Sequence, residues 1–211
     1  MIHQIFPCLY LVRTDAAGAK TPYTYLLRRP AGNILFATKA DIADDWEALE
    51  ALGPVSHILL GDRHHVGAAS ARLSAKLAVP LSATRGEAEA ARQPDLPIAD
   101  ILRDGRYHLA DDLEVIPTPG HTRGAVSYLW SNGGRRFLFI GDTLVPIDGR
   151  WAFWVTRPNR PLMRRTIDSL RDVPFDVILS NSFACTPRAW FEVTEQDRAA
   201  LFHSVAEALR D

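Results

Sequence analysis

The spacing of apolar residues divides the first half of the chain into predicted strands and helices. Short apolar runs at residues 5–12, 23–27 and 34–38 predict strands, with a turn around residues 30–32. Asp41 can cap a helix whose apolar residues recur three or four apart until Gly53 and Pro54 end it. A strand at 55–60, an alanine-rich helix at 68–78 and a strand at 79–83 then predict a βαβ unit.

The second half begins with an all-β pattern and ends with alternating helices and strands. Strands are predicted at 107–109 and 113–116, and two more, at 126–130 and 136–140, form a hairpin because Asn132 and Gly133 lie between them. A helix at 162–170, a strand at 176–179 and a helix after Thr194, with Asp197 placed as in a capping box, follow. No low-complexity linker interrupts the pattern, so residues 1–211 are predicted to form a single domain of sheets with helices outside.

Composition narrows the classes of function. The 211 residues are 47% hydrophobic, which is enough for a sizeable core. Because 24 Lys and Arg balance 25 Asp and Glu, no overall field favours nucleic acid or a membrane as a partner, and no run of ~18 apolar residues can cross a bilayer. Residues 1–11 lack the basic start of a secretory signal, and two cysteines make no disulfide framework. We therefore expect a cytoplasmic protein that acts on a small molecule; no oligomeric state is predicted.

The first cluster with candidate chemistry is ILLGDRHHVG, at residues 58–67. An apolar strand there ends in Asp62, His64 and His65 at the start of a helix. Imidazole nitrogen and carboxylate oxygen together suit a borderline metal such as zinc. On its own this segment is better explained as surface polar residues that cap a helix.

Two further strand ends carry single candidate ligands. TPGHT, at residues 118–122, delivers His121 at a tight turn, where the hydroxyls of Thr118 and Thr122 could orient the ring. A second apolar strand ends in Gly141 and Asp142, which puts a carboxylate at the mouth of a sheet. The plain alternative for each is a polar turn residue.

These segments together resemble the metallo-β-lactamase superfamily. Residues 118–124 with Gly141 and Asp142 are similar to its fourth and fifth ligand motifs, and residues 58–67 stand where the family carries HxHxDH. The resemblance implies an α+β fold, a four-layer αββα sandwich with metal at one edge, and a water or hydroxide that attacks esters, thioesters, lactams or phosphoesters. It also implies that His121 is a histidine ligand and that Asp142 is the carboxylate that bridges two metals.

The first motif departs from the family pattern, and two registers remain open. Aligning the preceding strand puts Asp62 and His64 on the first two histidines and leaves the Asp-His pair of the motif without ligands. Aligning the end of the segment instead puts His65 on the last histidine, His64 on the aspartate and Asp62 on the second histidine. Both registers leave the motif incomplete.

Two other family positions are also substituted. Ser180, Asn181 and Ser182 occupy the place of the PGHG-like turn that supplies the last histidine, and Ala37 stands at the place of the early aspartate. Cys185 lies close enough to the missing histidine to be a thiolate candidate, but a buried inert cysteine is the favoured interpretation.

The remaining ligands suffice for one metal ion. His64, His65, His121 and Asp142 are the predicted metal ligands, while Asp62 and His64 are the candidates for a catalytic role toward the attacking water. Because a catalytic zinc site takes three protein ligands and keeps one open position, we predict a mononuclear site for zinc, iron or manganese.

A substrate site is predicted after the Gly-Asp segment, where the family often places substrate-contacting loops. Trp151, Trp154 and Arg157 combine aromatic surface with a guanidinium and suit an acidic, partly apolar ligand. The alternative is a loop that packs on the sandwich beside a solvated basic helix face.

Two hypotheses about function follow. The leading one is metal-dependent hydrolysis of a small ester or thioester. The competing one is a catalytically silent relative that has lost metal binding and serves as a ligand-binding or interaction protein, because a fold does not by itself determine function.

Overall fold

A computed structural model describes residues 2–12, 22–91, 98–182 and 188–210 of the chain. The chain divides into two compact units, Met1–Leu102 and Arg103–Asp211. The single domain of residues 1–211 therefore stays a prediction. Cys185, a candidate ligand, lies outside the described residues.

The first unit is a sheet with three helices. Its elements are β1 (Ile2–Phe6), β2 (Leu9–Val12), β3 (Thr24–Leu27), β4 (Asn33–Phe36), α1 (Trp46–Ala51), β5 (Val55–Leu59), α2 (Ala68–Leu77), β6 (Leu81–Thr84), α3 (Arg85–Ala91) and β7 (Ile98–Leu102), with 3-10 turns at Ala43–Asp45 and Arg63–His65. Within the described residues the seven strands run in chain order across the sheet. Strands β1 to β4 pair antiparallel and β4 to β7 pair parallel.

The predicted βαβ unit is confirmed as β5, α2 and β6. Two other expectations for this unit need correction. The single strand predicted at residues 5–12 is the hairpin β1 and β2, because Pro7 has no N–H to donate and Cys8 turns the chain with φ +62°. The pattern also missed α3 and β7, which extend the parallel part of the sheet.

One apolar cluster joins this sheet to its helices. Leu26, Leu35 and Ile58 of the strands meet Leu49 of α1 and Leu73 of α2. All five side chains are at most 3% exposed. The three-and-four spacing of the helices therefore produces the face that covers the sheet.

The second unit is a mostly antiparallel sheet with two longer helices. Its elements are β8 (Tyr107–Ala110), β9 (Leu113–Pro117), β10 (Val126–Asn132), β11 (Arg135–Phe139), β12 (Val145–Ile147), β13 (Arg150–Ala152), α4 (Arg160–Arg171), β14 (Val177–Leu179), β15 (Trp190–Glu192) and α5 (Glu195–Ala208), with a 3-10 turn at Arg157–Asn159. In the part of this unit that the structure describes, the main sheet has the order β15-β14-β11-β10-β9-β8. Only the β11–β14 pair among these is parallel.

The predicted hairpin and capping box are both present. Strands β10 and β11 pair through Asn132 and Arg135, and Gly133 and Gly134 turn the chain with φ +58° and +78°. Helix α5 begins at Thr194, whose hydroxyl accepts the N–H of Asp197. The short hairpin of β12 and β13 was not predicted; it lies in the segment that was expected to be a substrate loop.

Helices α4 and α5 cover the main sheet of the second unit. Met163, Ile167 and Leu170 of α4 share one apolar cluster with Phe202 and Val205 of α5 and with buried residues of the strands. None of the helices within the described ranges has the length and apolar character needed to span a bilayer.

Candidate metal centre

The turn after β5 brings Asp62 and His64 together. Asp62 is 2% exposed and begins the 3-10 turn, where its Oδ1 accepts the N–H of His64 at 2.7 Å. The same oxygen lies 3.3 Å from Nδ1 of His64, whose side chain is 48% exposed. Asp62 therefore caps the turn and also faces an imidazole, so the capping interpretation and the ligand interpretation both apply to this residue.

A second buried carboxylate supports the same turn. Glu87 of α3 is 2% exposed, and its Oε2 accepts the N–H of Arg63 at 2.9 Å. Its Oε1 lies 3.8 Å from the guanidinium of Arg63. The first two N–H groups of the turn are thus held by the carboxylates of Glu87 and Asp62, which orients the histidines that follow. Sequence patterns missed Glu87 because α3 was not predicted.

His65 occupies a different environment from His64. It ends the same 3-10 turn but its side chain is 3% exposed. The residues whose side chains qualify as metal-binding candidates are Asp62, His64, His121 and Asp142, without His65. His65 is not among these four candidates, so its role as a metal ligand stays a prediction.

In the second unit, the turn after β9 fixes His121. The N–H of Thr118 donates to the carbonyl of Ala125 and that of Gly120 to the carbonyl of Thr122, both at 2.8 Å. Thr166 of α4 donates its hydroxyl to the carbonyl of Pro119 at 2.6 Å. The tight turn expected from Pro-Gly is therefore present and is tied to the helix beneath it.

A backbone carbonyl sets the orientation of the His121 ring. Nδ1 of His121 lies 2.8 Å from the carbonyl oxygen of Trp154. Because a carbonyl oxygen can only accept, Nδ1 carries the hydrogen, and Nε2 of the neutral ring keeps its lone pair. Metal-binding histidines are typically held in this way through their other nitrogen. The sequence offered no signal for this contact, because any residue at position 154 has the same carbonyl group.

The lone pair of His121 lies on the side of the ring that faces Asp142. Nε2 is 3.9 Å from Oδ2 of Asp142, and the two side chains are 10% and 9% exposed. That distance is too long for a hydrogen bond. It is short enough for both atoms to reach one ion through bonds of about 2.0–2.2 Å each. The pair therefore suits a metal.

The strand end that carries Asp142 is held by a serine from the neighbouring strand. Ser180 donates its hydroxyl to the carbonyl of Gly141 at 2.9 Å, and Gly141 has φ +59°. The N–H of Ser182 donates to the Ser180 hydroxyl at 3.2 Å. Ser180, Asn181 and Ser182 are buried, at 2%, 4% and 1% exposure. The place expected for the last histidine thus contains a buried polar turn.

The place expected for the early aspartate belongs to the core of the first unit. Ala37 is 1% exposed, joins the apolar cluster, and donates its N–H to the carbonyl of Leu59 at 3.0 Å. It has no side-chain donor to offer a metal.

The predicted substrate residues lie on and after the β12–β13 hairpin. Trp151 of β13 packs edge-on against Phe191 at a centroid distance of 5.3 Å. The ring of Trp154 lies 6.5 Å from that of His121. Arg157 is exposed in the 3-10 turn before α4. Their role in substrate binding stays a prediction.

The basic face of α4 has a structural role. Arg160 donates to the carbonyl of Ala208, and Arg164 donates to that of Leu209. Both arginines therefore bind carbonyls at the C-terminal end of α5.

Curated proteins are similar in sequence to part of the chain. No protein-family profile matches the chain. It is 32% identical to a hydroxyacylglutathione hydrolase of Mesorhizobium japonicum over 129 residues, which is 60% of this chain and 48% of that protein. It is 26% identical to the protein of the same name from Chelativorans over 137 residues, 63% of this chain and 50% of the other. The chain thus spans about half the length of these curated relatives.

Solved structures cover nearly the whole chain. A Cronobacter sakazakii metallo-β-lactamase, a mutant of its HARLDQ motif, matches with a TM-score of 0.71 at 20% identity, covering 99% of this chain and 95% of the other. A subclass B3 metallo-β-lactamase of Bradyrhizobium japonicum matches with a TM-score of 0.68 at 18% identity, over 99% and 92%.

The chain therefore has the metallo-β-lactamase fold, which confirms the predicted fold class. The curated matches to hydroxyacylglutathione hydrolases agree with that fold.

Proposed function

We propose that this protein is a metal-dependent hydrolase of a small thioester or ester. The observation that carries the proposal is the pair His121 and Asp142, whose facing ligand atoms are 3.9 Å apart while the other ring nitrogen is held by the Trp154 carbonyl. This leaves Nε2 as the ring nitrogen nearer to the carboxylate, which is the arrangement of a metal-binding histidine held through its other nitrogen.

We propose that one ion takes three ligands from the candidate set Asp62, His64, His121 and Asp142 and keeps one position open for water. Each offers a single imidazole nitrogen or carboxylate oxygen. Two nitrogen and two oxygen donors suit zinc, and also iron or manganese. Since the places of the early aspartate and the last histidine are filled by Ala37 and Ser180 to Ser182, a mononuclear site is favoured over the two-metal site of the family pattern.

The contacts of the first motif favour one of the two registers. Asp62 and His64 approach each other to 3.3 Å and both carry candidate ligand atoms, whereas His65 is buried and outside the candidate set. This supports the register in which Asp62 and His64 take the places of the first two histidines. His65 then serves the packing of the turn.

A bound zinc-like ion would polarise the carbonyl of the substrate and activate water at neutral pH. The protein must then accept a proton close to that water. The member of the Asp62–His64 pair that does not bind the ion is our candidate for this role, because the carboxylate and the imidazole lie 3.3 Å apart. The half-exposed ring of His64 can pass a proton on to solvent.

The names of the curated relatives suggest the class of substrate. A hydroxyacylglutathione is a thioester with an anionic peptide portion, and the chain matches two hydrolases of that name over about half of their length. We propose a small acyl thioester of this kind, with Trp151 and Trp154 contacting its apolar part and exposed Arg157 its carboxylate. We further propose a cytoplasmic location and no nucleic-acid or membrane partner, consistent with two cysteines and a net charge of -1.

The silent alternative, without metal or catalysis, is less well supported. Loss of function would allow the candidate ligands to separate, whereas Asp62 and His64 stay 3.3 Å apart in the first unit and His121 and Asp142 stay 3.9 Å apart in the second.

Metal content tests the proposal directly. Protein purified without chelator is expected to contain about one zinc, iron or manganese and to hydrolyse a hydroxyacylglutathione or a generic thioester. His121→Ala and Asp142→Ala should lose both properties, while His108→Ala, which changes an exposed histidine of β8, should keep both. If the wild type binds none of these metals and shows no hydrolysis when they are added, the proposal is wrong.

A further inference from the structure

Three buried hydroxyl groups form a chain beside the ligands of the second unit. Thr143 donates to the hydroxyl of Thr118 at 3.2 Å, and the hydroxyls of Thr118 and Ser127 lie 3.0 Å apart. The three residues are at most 1% exposed. Thr143 donates to Thr118, whereas in the pair of Thr118 and Ser127 either hydroxyl can be the donor.

The chain connects the segments that carry the two proposed ligands. Thr143 follows Asp142 directly in sequence, and Thr118 begins the turn that presents His121. Ser127 belongs to β10, which lies between β9 and β11 in the sheet and pairs with both. The hydrogen bond between Thr143 and Thr118 thus links the ends of the outer two strands directly, and Ser127 of the middle strand bonds to Thr118.

We propose that Thr143, Thr118 and Ser127 are positioning residues that hold His121 and Asp142 at the separation a metal requires. The inference rests on the proposed function, because the metal belongs to that proposal. The evidence for it is the hydroxyl chain. The turns of His121 and Asp142 follow strands that are not neighbours in the sheet, so no backbone pairing joins these two strand ends. Without the hydroxyl chain each end could shift independently. Buried hydrogen bonds limit such shifts. Outer partners of metal ligands commonly change metal affinity 10–100-fold, and we expect an effect near the lower end of about 10-fold.

Replacing one hydroxyl tests the inference. Thr143→Val keeps the shape and removes the donor, whereas Thr143→Ser keeps the donor. Thr24→Val is the matched control, because Thr24 and Thr38 form a buried hydroxyl pair at the same 3.2 Å that touches no proposed ligand. Zinc affinity should fall about 10-fold in Thr143→Val, recover in Thr143→Ser and stay unchanged in Thr24→Val.

A measurement without metal separates this inference from the proposed function. Long-range ¹H–¹⁵N spectra of the metal-free protein at alkaline pH should show one neutral tautomer of His121, with hydrogen on Nδ1, in the wild type and in Thr143→Ser. In Thr143→Val the two tautomers should average, since the turn no longer keeps Nδ1 on the Trp154 carbonyl. If the wild type binds no metal but this change occurs, the proposed function fails and the positioning role stands. If Thr143→Val keeps both the wild-type spectrum and the wild-type zinc affinity, the inference is overturned.

Discussion

Gly120 allows the turn of His121 to lie directly on helix α4. A Cβ built at this position would meet Cα and Cβ of Met163 at 2.9 Å. Met163 is fully buried in the core of the second unit, so the helix backbone has little room to move away. Gly120→Ala therefore forces the turn and α4 apart.

The cost can be worked out from this contact. Overpacking a well-packed core costs about 1–3 kcal/mol. The φ of +158° at Gly120 lies at the edge of the region that favours glycine and adds a smaller cost. For a chain of 211 residues, each kcal/mol corresponds to about 2–4 °C in Tm, so a total near 3 kcal/mol lowers Tm by about 6–12 °C.

Thermal unfolding of the metal-free protein, followed by circular dichroism, measures this effect without interference from metal binding. Gly67→Ala is the matched control, because its added methyl would lie 3.5 Å from Cβ of Lys39, an ordinary contact distance. The control should remain within about 1 kcal/mol of the wild type. If Gly120→Ala is as stable as Gly67→Ala, the close packing of the turn on α4 is wrong.

Three further predictions concern buried or capping polar groups. Ser180→Ala leaves the carbonyl of Gly141 without its buried donor and should lower the free energy of unfolding in urea by about 1–3 kcal/mol; an unchanged urea midpoint would contradict this. Glu87→Ala should cost a similar amount because the N–H of Arg63 loses its acceptor, and Glu87→Gln should cost less, so equal losses would argue against the hydrogen bond as the cause. Thr194, the capping residue of α5, donates hydrogen bonds to the Asp197 carboxylate and holds its pKa below 3.8. The backbone N–H of Thr194 has the larger effect and its hydroxyl the smaller one. The stabilisation is therefore fully present above pH 3.8 and is lost as the pH falls through the lower folded pKa. Asp197→Asn should accordingly melt below the wild type at pH 6 and approach it as the pH falls through the folded pKa, whereas a constant difference in Tm would refute the linkage.

The arrangement of strands and helices could largely be predicted from local pattern. Asn132 and Gly133 determined the β10–β11 hairpin, and Thr194 with Asp197 determined the start of α5, because turn and cap geometry depends on a few adjacent residues. Elements without a strong local signal were missed. Strand β7 forms because it pairs with β6, and the β12–β13 hairpin has only three residues in each strand.

The candidate ligands could also be named from sequence, since TPGHT and the Gly-Asp strand end are chemical signatures in themselves. What surrounds them could not be. The carbonyl of Trp154 on Nδ1 of His121 comes from 33 residues away, and the donor to Gly141 from 39 residues away. A backbone carbonyl has no sequence signature, and a serine or threonine hydroxyl is common everywhere.

The sequence by itself therefore determined which side chains are candidate metal ligands and which strands end beside them, because those properties depend on residue type and short-range periodicity. Only the tertiary structure decided that Nε2 of His121 lies 3.9 Å from Oδ2 of Asp142 and that Thr143 bonds to Thr118 across their strand ends. The physical reason is that hydrogen-bond direction and the distance between ligand atoms depend on how distant segments pack, and no local pattern records that packing.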